Sequence, residues 1–354
     1  MRQLVVLPLL YFCFAVVSLS IIASIAPNLV YVQFIFFLLG SCIFFCVSFF
    51  NFNLWRKYHW WLYGGSLLAL IITLSLGIVH KGAARWIPIG PINFQPSQFA
   101  QPITIVTLSF FLGSNSLRKF SNLIKYSLLI VVPWFLTIIE PNLSTSLIFL
   151  FFAGMMALHS DLPVRWIGSA LVFIFILSII GWIFVVKPYQ KQRILTFLSP
   201  DDHQESSYNA RQSMIAVGSG GLMGRGLGHG VQSQLRFLPE RQTDFIFASL
   251  AEELGLLGSF LVLFLYGILF FFLSLKLSKS QNTFFQSLFI GFLSFFCIQV
   301  TINIGMNMGI LPITGITLPF LSYGGSSLLS FALSFGILER AIIETNTRTV
   351  FQLR

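Results

Sequence analysis

The stretch Phe237–Glu253, FLPERQTDFIFASLAEE, runs directly into residues 254–275, LGLLGSFLVLFLYGILFFFLSL. The second part carries no charge and has the length of a membrane-crossing helix, which takes about 20 apolar residues. The first part holds Glu240, Arg241, Asp244, Glu252 and Glu253, in a chain that is only 9% charged. Charges beside a bilayer are costly unless they are solvated, paired or used. The join therefore sets a charged cluster at a membrane edge, and the rest of the chain reads as a scaffold around it.

Composition supports this. The chain is 56% hydrophobic, against roughly 45–50% apolar and a quarter charged for a soluble domain. A formal charge of +10 could point to nucleic acid. Lys and Arg scattered through short loops between apolar segments point instead to topogenic charge, so no nucleic-acid partner is expected. Cys13, Cys42, Cys46 and Cys297 lie in apolar segments with neither zinc spacing nor a disulfide framework. The N-terminal apolar run lacks a small-residue cleavage site and reads as a first transmembrane helix.

The expected fold is an all-α polytopic membrane protein of about ten transmembrane helices in one domain, residues 1–354. The spans are roughly 4–26, 31–50, 60–79, 97–113, 122–139, 143–159, 164–186, 254–275, 284–309 and 321–343, the fourth and sixth being marginal. One long loop, 187–253, joins spans 7 and 8. Arg2, Arg56, Lys57, Arg118, Lys119, Lys125, Arg165, Lys276, Lys279, Arg340, Arg348 and Arg354 then share one side, and the short loops of the other side hold only Lys81 and Arg85. The positive-inside rule makes both termini cytoplasmic and the long loop extracytoplasmic.

Four further polar clusters need an explanation. In Lys81–Gln101, KGAARWIPIGPINFQPSQFAQ, Lys81, Arg85 and Trp86 suit either an interfacial anchor or a phosphate site. Gln98 and Gln101 share one helix face. In Glu140–Thr145, EPNLST, Pro141 stops a helix and Asn142, Ser144 and Thr145 can cap the next; a capped hairpin and a site are both open. Gly218–Gly230, GSGGLMGRGLGHG, has the glycines of a phosphate loop but no Gly-Lys-Ser/Thr, and no strand precedes it. A chain folded back at the membrane surface is expected instead. Asn303–Ser327, NIGMNMGILPITGITLPFLSYGGSS, reads either as close helix packing or as a broken helix around a cavity. In the opening stretch, Thr243 is expected to cap the helix that follows, with Asp244 in its first turn, where the positive helix end favours an anion.

KGAARWIPIG with QPSQF, EPNLST, QSMIAVGSGGLMGRGLG, FLPERQTDFIFASLAEELG and the Asn303–Ser327 stretch, in that order, resemble the signatures of the SEDS family. These are the polytopic peptidoglycan polymerases of the RodA, FtsW and SpoVE group. Glu140–Pro141, PYQKQRILTFL and SQLRFLPE are most similar to the RodA branch. The resemblance implies a glycosyltransferase that polymerises lipid II at the outer face of a bacterial cytoplasmic membrane. It implies Asp244 as the catalytic carboxylate. It implies substrate-binding roles for Lys81, Arg85, Trp86, Gln95, Ser97, Gln98, Gln101, Asn142, Thr145, Arg193, Arg211, Gln212, Ser213, Glu240, Ser322 and Tyr323. A class B penicillin-binding protein is the implied partner, and a divalent cation, Mg or Mn, is a cofactor the resemblance leaves open. Division-specific polymerisation, a lipid II flippase and a weakly active scaffold are the alternatives.

The chain departs from the family pattern in three places. The family's QPSEFxK has Gln98 and Gln101 here, so a Glu–Lys pair is replaced on both sides. Its PDxGT has Asn142 and Ser144. Removing one member of a buried pair strands a charge, whereas replacing both by amides can be tolerated. The loss of the carboxylate at Asn142 is not explained in this way, and it weakens any metal or acceptor contact carried over to that position.

Overall fold

The computed structural model describes residues 5–80, 83–89, 92–163, 166, 168, 191, 197 and 205–352. The chain enters through α1 (Val6–Ile25), a 3-10 turn (Pro27–Leu29), α2 (Val30–Phe49) and α3 (Phe52–Leu76). A small sheet follows: β1 (Ile78–His80), β2 (Ala83–Ile89) and β3 (Ile92–Phe94). Then come α4 (Pro96–Ser114), α5 (Phe120–Ile139), α6 (Leu143–His159), α7 (Glu205–Ser219), α8 (Val231–Gln234), α9 (Ile246–Lys279), α10 (Thr283–Asn307) and α11 (Gly325–Gln352).

Every expected span except the seventh coincides with a helix. Apart from residues 166 and 168, span 164–186 lies outside the described residues, as does the first part of the long loop apart from residues 191 and 197. Among the described residues, six helices are long and apolar enough to cross a membrane on their own: α1, the turn with α2, α5, α9, α10 and α11. The marginal sixth span is the 17-residue α6. The sheet is an addition that the sequence reading did not contain. Its strands run antiparallel in the order β1-β2-β3, with Ile78 opposite Trp86 and Ile87 opposite Phe94. Short apolar runs broken by Gly and Pro gave it no clear period-two signal.

Helices α10 and α11 are the most enclosed of the spans, and α5 the least. α11 packs on α2 and α4, while α10 packs on α4, α6 and α9. Lipid tails are as apolar as the side chains, so close packing, and not water exclusion, holds such helices together. At the α2–α11 contact a Cβ on Gly336 would stand 2.7 Å from the Phe44 carbonyl, and one on Gly40 would stand 2.6 Å from the Tyr11 hydroxyl. Phenylalanine fills the centre. Phe320 stacks on Phe14 and lies 4.5 Å from Phe335, ring centroid to centroid. Phe320 has φ +63°, a left-handed conformation that costs a bulky residue roughly 1–3 kcal/mol. The surrounding rings hold it there, and so fix the turn at 318–323.

α9 is broken at Gly255, which has φ +65° and ψ −158°. The break frees carbonyls before it, in a buried stretch, and N–H groups after it, at the exposed Leu256 and Leu257; a bilayer offers no water to pair them, so each needs a partner in the protein. The glycine-rich loop supplies the partners. Arg225 and Gly226 N–H donate to the carbonyls of Glu252 and Glu253, and Leu256 and Leu257 N–H donate to those of Gly221 and Leu222. The glycine-rich stretch, expected to fold back at the membrane surface, docks on the broken helix. The glycines serve close backbone approach: a Cβ on Gly224 would lie 2.1 Å from the Glu253 carbonyl oxygen.

Candidate active site

The segment before α9 is a turn, not the start of a helix. The N-cap is Phe245, without a side-chain cap, so Asp244 precedes the helix. Thr243 does not cap it. Its hydroxyl donates to the backbone and to the Oε2 of Glu240, at 3.2 and 3.1 Å. Glu240 itself takes φ +52°, and its carbonyl accepts from the N–H groups of Thr243 and Phe245. The sequence signal for capping was genuine, but the left-handed residue at 240 folds the chain back one turn too early for Thr243 to act.

Asp244 is held by its backbone. Its carbonyl accepts from Asn303 Nδ2 at 3.0 Å and from Asn307 Nδ2 at 3.1 Å. Both asparagines are fully buried on α10, one turn apart. Asn303 also donates to the Ile316 carbonyl, 2.7 Å. Asn307 Oδ1 accepts from the Ala248 N–H at 3.0 Å, and Ser213 on α7 donates to the Asn307 carbonyl at 2.9 Å. Ser322 donates to the Thr243 carbonyl at 2.6 Å and accepts from Leu318 N–H, while Tyr323 N–H donates to the Gln242 carbonyl. The strained Phe320 turn thus sets Ser322 directly under the segment. The Asp244 side chain is left half-buried at the positive end of α9.

Glu252 and Glu253 are structural. Glu252 accepts from Gln232 and Ser233 N–H and from the Ser233 hydroxyl, which places a carboxylate at the N-terminus of α8. Glu253 Oε1 accepts from Ser24, Gly228 N–H and Gln234. Arg241 forks onto the Ile25 carbonyl at 3.1 and 2.8 Å. These contacts pin the turn to the end of α1.

A second group surrounds the turn between α5 and α6. Arg85, on β2, donates to the carbonyls of Glu140 and Pro141. Glu140 is fully buried and neither carboxyl oxygen has a hydrogen-bond partner among the described residues. Burial pushes its carboxyl up to about 8, with Arg85 opposing the rise. Asn142 caps α6, accepting from Thr145 N–H at 3.4 Å and donating to Ser97 at 3.5 Å. An amide serves this capping role as well as a carboxylate does, which accounts for the departure at 142. Gln98 and Gln101 differ from expectation: Gln98 Oε1 and both side-chain polar atoms of the fully buried Gln101 are unbonded among the described residues. No charge is stranded, yet the amides do not satisfy each other.

The two groups meet through residues 314–330. Ser144 donates to the Thr314 carbonyl, Ser326 joins Gln95 N–H to the Asn93 carbonyl, and Ser330 donates to the Gln98 carbonyl. Trp86 is half-buried on β2, Thr145 is buried on α6, and Arg211 and Gln212 stand on α7, exposed and half-buried. Lys81 and Arg193 lie outside the described residues. Sequence reasoning missed Asn303 and Asn307 as individuals. Their one signal was two amides four residues apart on an apolar helix. Among the described residues, no group of three or more His, Cys, Asp or Glu is placed to hold a metal ion.

The fold and this polar site, set at the ends of apolar spans, define a multi-pass membrane protein with a buried hydrogen-bond frame around one half-buried carboxylate. Residues 1–347 match the cell cycle protein family of FtsW, RodA and SpoVE, and the chain belongs to that family. It is 38% identical over 288 residues to the peptidoglycan glycosyltransferase MrdB of Escherichia coli (strain K12), covering 80% of this chain and 78% of the relative. Relatives named FtsW and stage V sporulation protein E match as well. Among solved structures, a chain of a peptidoglycan synthase complex that coordinates polymerization and crosslinking matches with TM-score 0.83 and 28% identity, over 96% of this chain and 97% of that one. The Thermus thermophilus rod shape determining protein RodA matches with TM-score 0.74 and 26% identity, over 96% of each chain.

Proposed function

We propose that this protein is a peptidoglycan glycosyltransferase that polymerises lipid II, in a RodA-like role in cell elongation. The observation that carries the reading is the clamp on Asp244: two buried asparagines fix its backbone carbonyl, and the residue stays half-buried just before α9. A sugar hydroxyl is a weak nucleophile, and a positioned carboxylate raises its reactivity by taking its proton as it attacks. Asp244 removes the proton from the 4-hydroxyl of the acceptor GlcNAc. That oxygen then attacks the anomeric carbon of the donor MurNAc with inversion, and undecaprenyl-pyrophosphate leaves. Arg85, anchored on the α5–α6 turn, stabilises the departing pyrophosphate charge, with Lys81, Arg193 and Arg211 as further cations. Glu240 and Thr243 shape the turn that presents Asp244.

The long loop and both polar groups face outside the bacterial cytoplasmic membrane, and both termini face the cytoplasm. A class B penicillin-binding protein is the partner, supported by the likeness to a chain of a synthase complex that also crosslinks. A divalent cation would be drawn to Glu240 and Asp244. Two carboxylates alone make a weak cage, so no step of this mechanism passes through it.

The test is to incubate the purified protein with labelled lipid II, with and without its transpeptidase, and to resolve glycan ladders on a gel. Asp244→Asn is expected to abolish ladders while the protein still folds. Ladder formation at the parent rate by Asp244→Asn would refute the assignment. Lipid II translocation in liposomes that survives Asp244→Asn, with no ladders from the parent, would make the chain a flippase.

A further inference from the structure

The face of the bundle opposite Asp244 holds a cavity of about 380 Å³ where α3 and α10 begin, α4 ends and α11 passes. Its inner wall is aromatic. Phe110 stacks on Phe284 at 4.3 Å, and Phe52 meets Phe284 edge-on at 5.1 Å, ring centroid to centroid. A Cβ on Gly113 would come within 3.0 Å of Phe284, so glycine there lets α4 and α10 close the wall.

The rim is polar: Asn53, Arg56, Ser114, Asn115, Asn282 and Glu344. Most of these groups are spoken for. Asn282 caps α10, and Asn115 donates to the Phe111 carbonyl and to Ser114. Glu344 accepts from Phe52 N–H at 2.8 Å and pairs with Arg340 at 3.0 Å. The Asn53 amide and Arg56 are the exceptions, and Arg56 is the charged one. Its guanidinium forms no ion pair or hydrogen bond among the described residues, and it stands at the rim beside the positive ends of two helices. Trp60 and Trp61, 52% and 79% exposed, continue the same face of the bundle outward. Tryptophan at such positions marks the headgroup depth of a bilayer, so the cavity mouth opens at the lipid interface.

An aromatic pocket with one free guanidinium at headgroup depth suits an amphiphile whose anionic head is a phosphate. We infer that this cavity is a binding site for an anionic phospholipid of the leaflet facing away from Asp244, its phosphate on Arg56 and its glycerol end against the Phe52–Phe110–Phe284 wall. Guanidinium offers a forked donor pair that matches phosphate oxygens. The inference is independent of the polymerase reading, because it uses none of the residues of that site.

The experiment places the full chain in nanodiscs of phosphatidylcholine, with or without phosphatidylglycerol, and counts retained lipid by native mass spectrometry. The parent is expected to retain a phosphatidylglycerol in preference to phosphatidylcholine. Arg56→Gln is expected to lower that retention about fivefold, the effect of one basic group on an anionic lipid. Asn53→Trp, which fills the mouth and keeps the charge, is expected to lower it as well. Lys57→Gln, next in sequence but not in the lining, is expected to leave it unchanged. Equal retention of the two lipids, parent-like retention by Arg56→Gln, or an equal loss in Lys57→Gln would overturn the proposal. So would displacement of the lipid by inorganic phosphate, which would mark the cavity as a site for the free anion.

Discussion

Asn303 and Asn307 hold one oxygen, the Asp244 carbonyl, from two positions a helical turn apart, and this redundancy has a measurable consequence. Leucine has the branched outline and heavy-atom number of asparagine, with bulkier methyl ends and no donor. In Asn303→Leu the Asp244 carbonyl keeps the bond from Asn307, while the Ile316 carbonyl loses its 2.7 Å partner. A buried hydrogen bond contributes about 1 kcal/mol net, and a stranded buried acceptor costs about 1–3. The single variant is therefore expected to lose about 2–3 kcal/mol of stability, with polymerisation slowed about tenfold. Asn307→Leu also strands the Ala248 N–H, with a loss of similar size. When both are changed, nothing on α10 holds the segment. A misplacement of about 1 Å at a reacting group costs roughly a hundredfold, so the double variant is expected to lose at least the hundredfold to which the two singles multiply. The assay is the initial rate of ladder formation from labelled lipid II at several concentrations, with thermal unfolding in detergent as the control. A positioning role lowers kcat and leaves KM nearly unchanged. A folded double variant with the rate of either single would refute the clamp.

Gly255→Ala forces a side chain onto φ +65° and sets its Cβ 2.2 Å from Gly224 N, so a loss above about 3 kcal/mol is expected in detergent melting curves. Gly218→Ala, on α7 with open space around it, is expected to stabilise by up to about 1 kcal/mol. Glu140 is raised to about 8 in the fold against an ordinary 4.5. The fold therefore favours its protonated form, and the stability this contributes is complete below pH about 4.5 and is lost as pH rises through 8. Melting curves across that window should slope downward for the parent, by up to a few kcal/mol, and lie flatter for Glu140→Gln. Chelation by EDTA followed by Mg or Mn add-back tests the cation: recovery of ladder formation by add-back would establish the dependence, and an unchanged rate would remove it.

Much of the fold was legible because a bilayer imposes length and apolarity on every span. The break in α9 was hidden by the same rule. LGLLG reads as part of an apolar helix, and only the partner loop some thirty residues earlier reveals why Gly255 must be glycine. Asp244 stood out by charge, but Thr243 looked like its cap because the left-handed turn at Glu240 has no signature in Glu-Arg-Gln-Thr. Glu252 and Glu253 looked functional by the same charge criterion. Their carboxylates are occupied by Ser24, Gly228 and residues 232–234. Asn303 and Asn307 could not be assigned from sequence, since their acceptor lies about sixty positions away and presents a backbone atom.

The paired backbone at Gly255 also orders the steps by which the protein is made. Residues 256–279 can enter a bilayer as an ordinary apolar helix. Residues 246–254 cannot complete themselves, because the groups at their open end find partners only in residues 221–226. A ribosome delivers 221–226 first. The partner loop is therefore made before the segment that docks on it, and the turn carrying Asp244 is completed only when Asn303, Asn307 and Ser322 have followed.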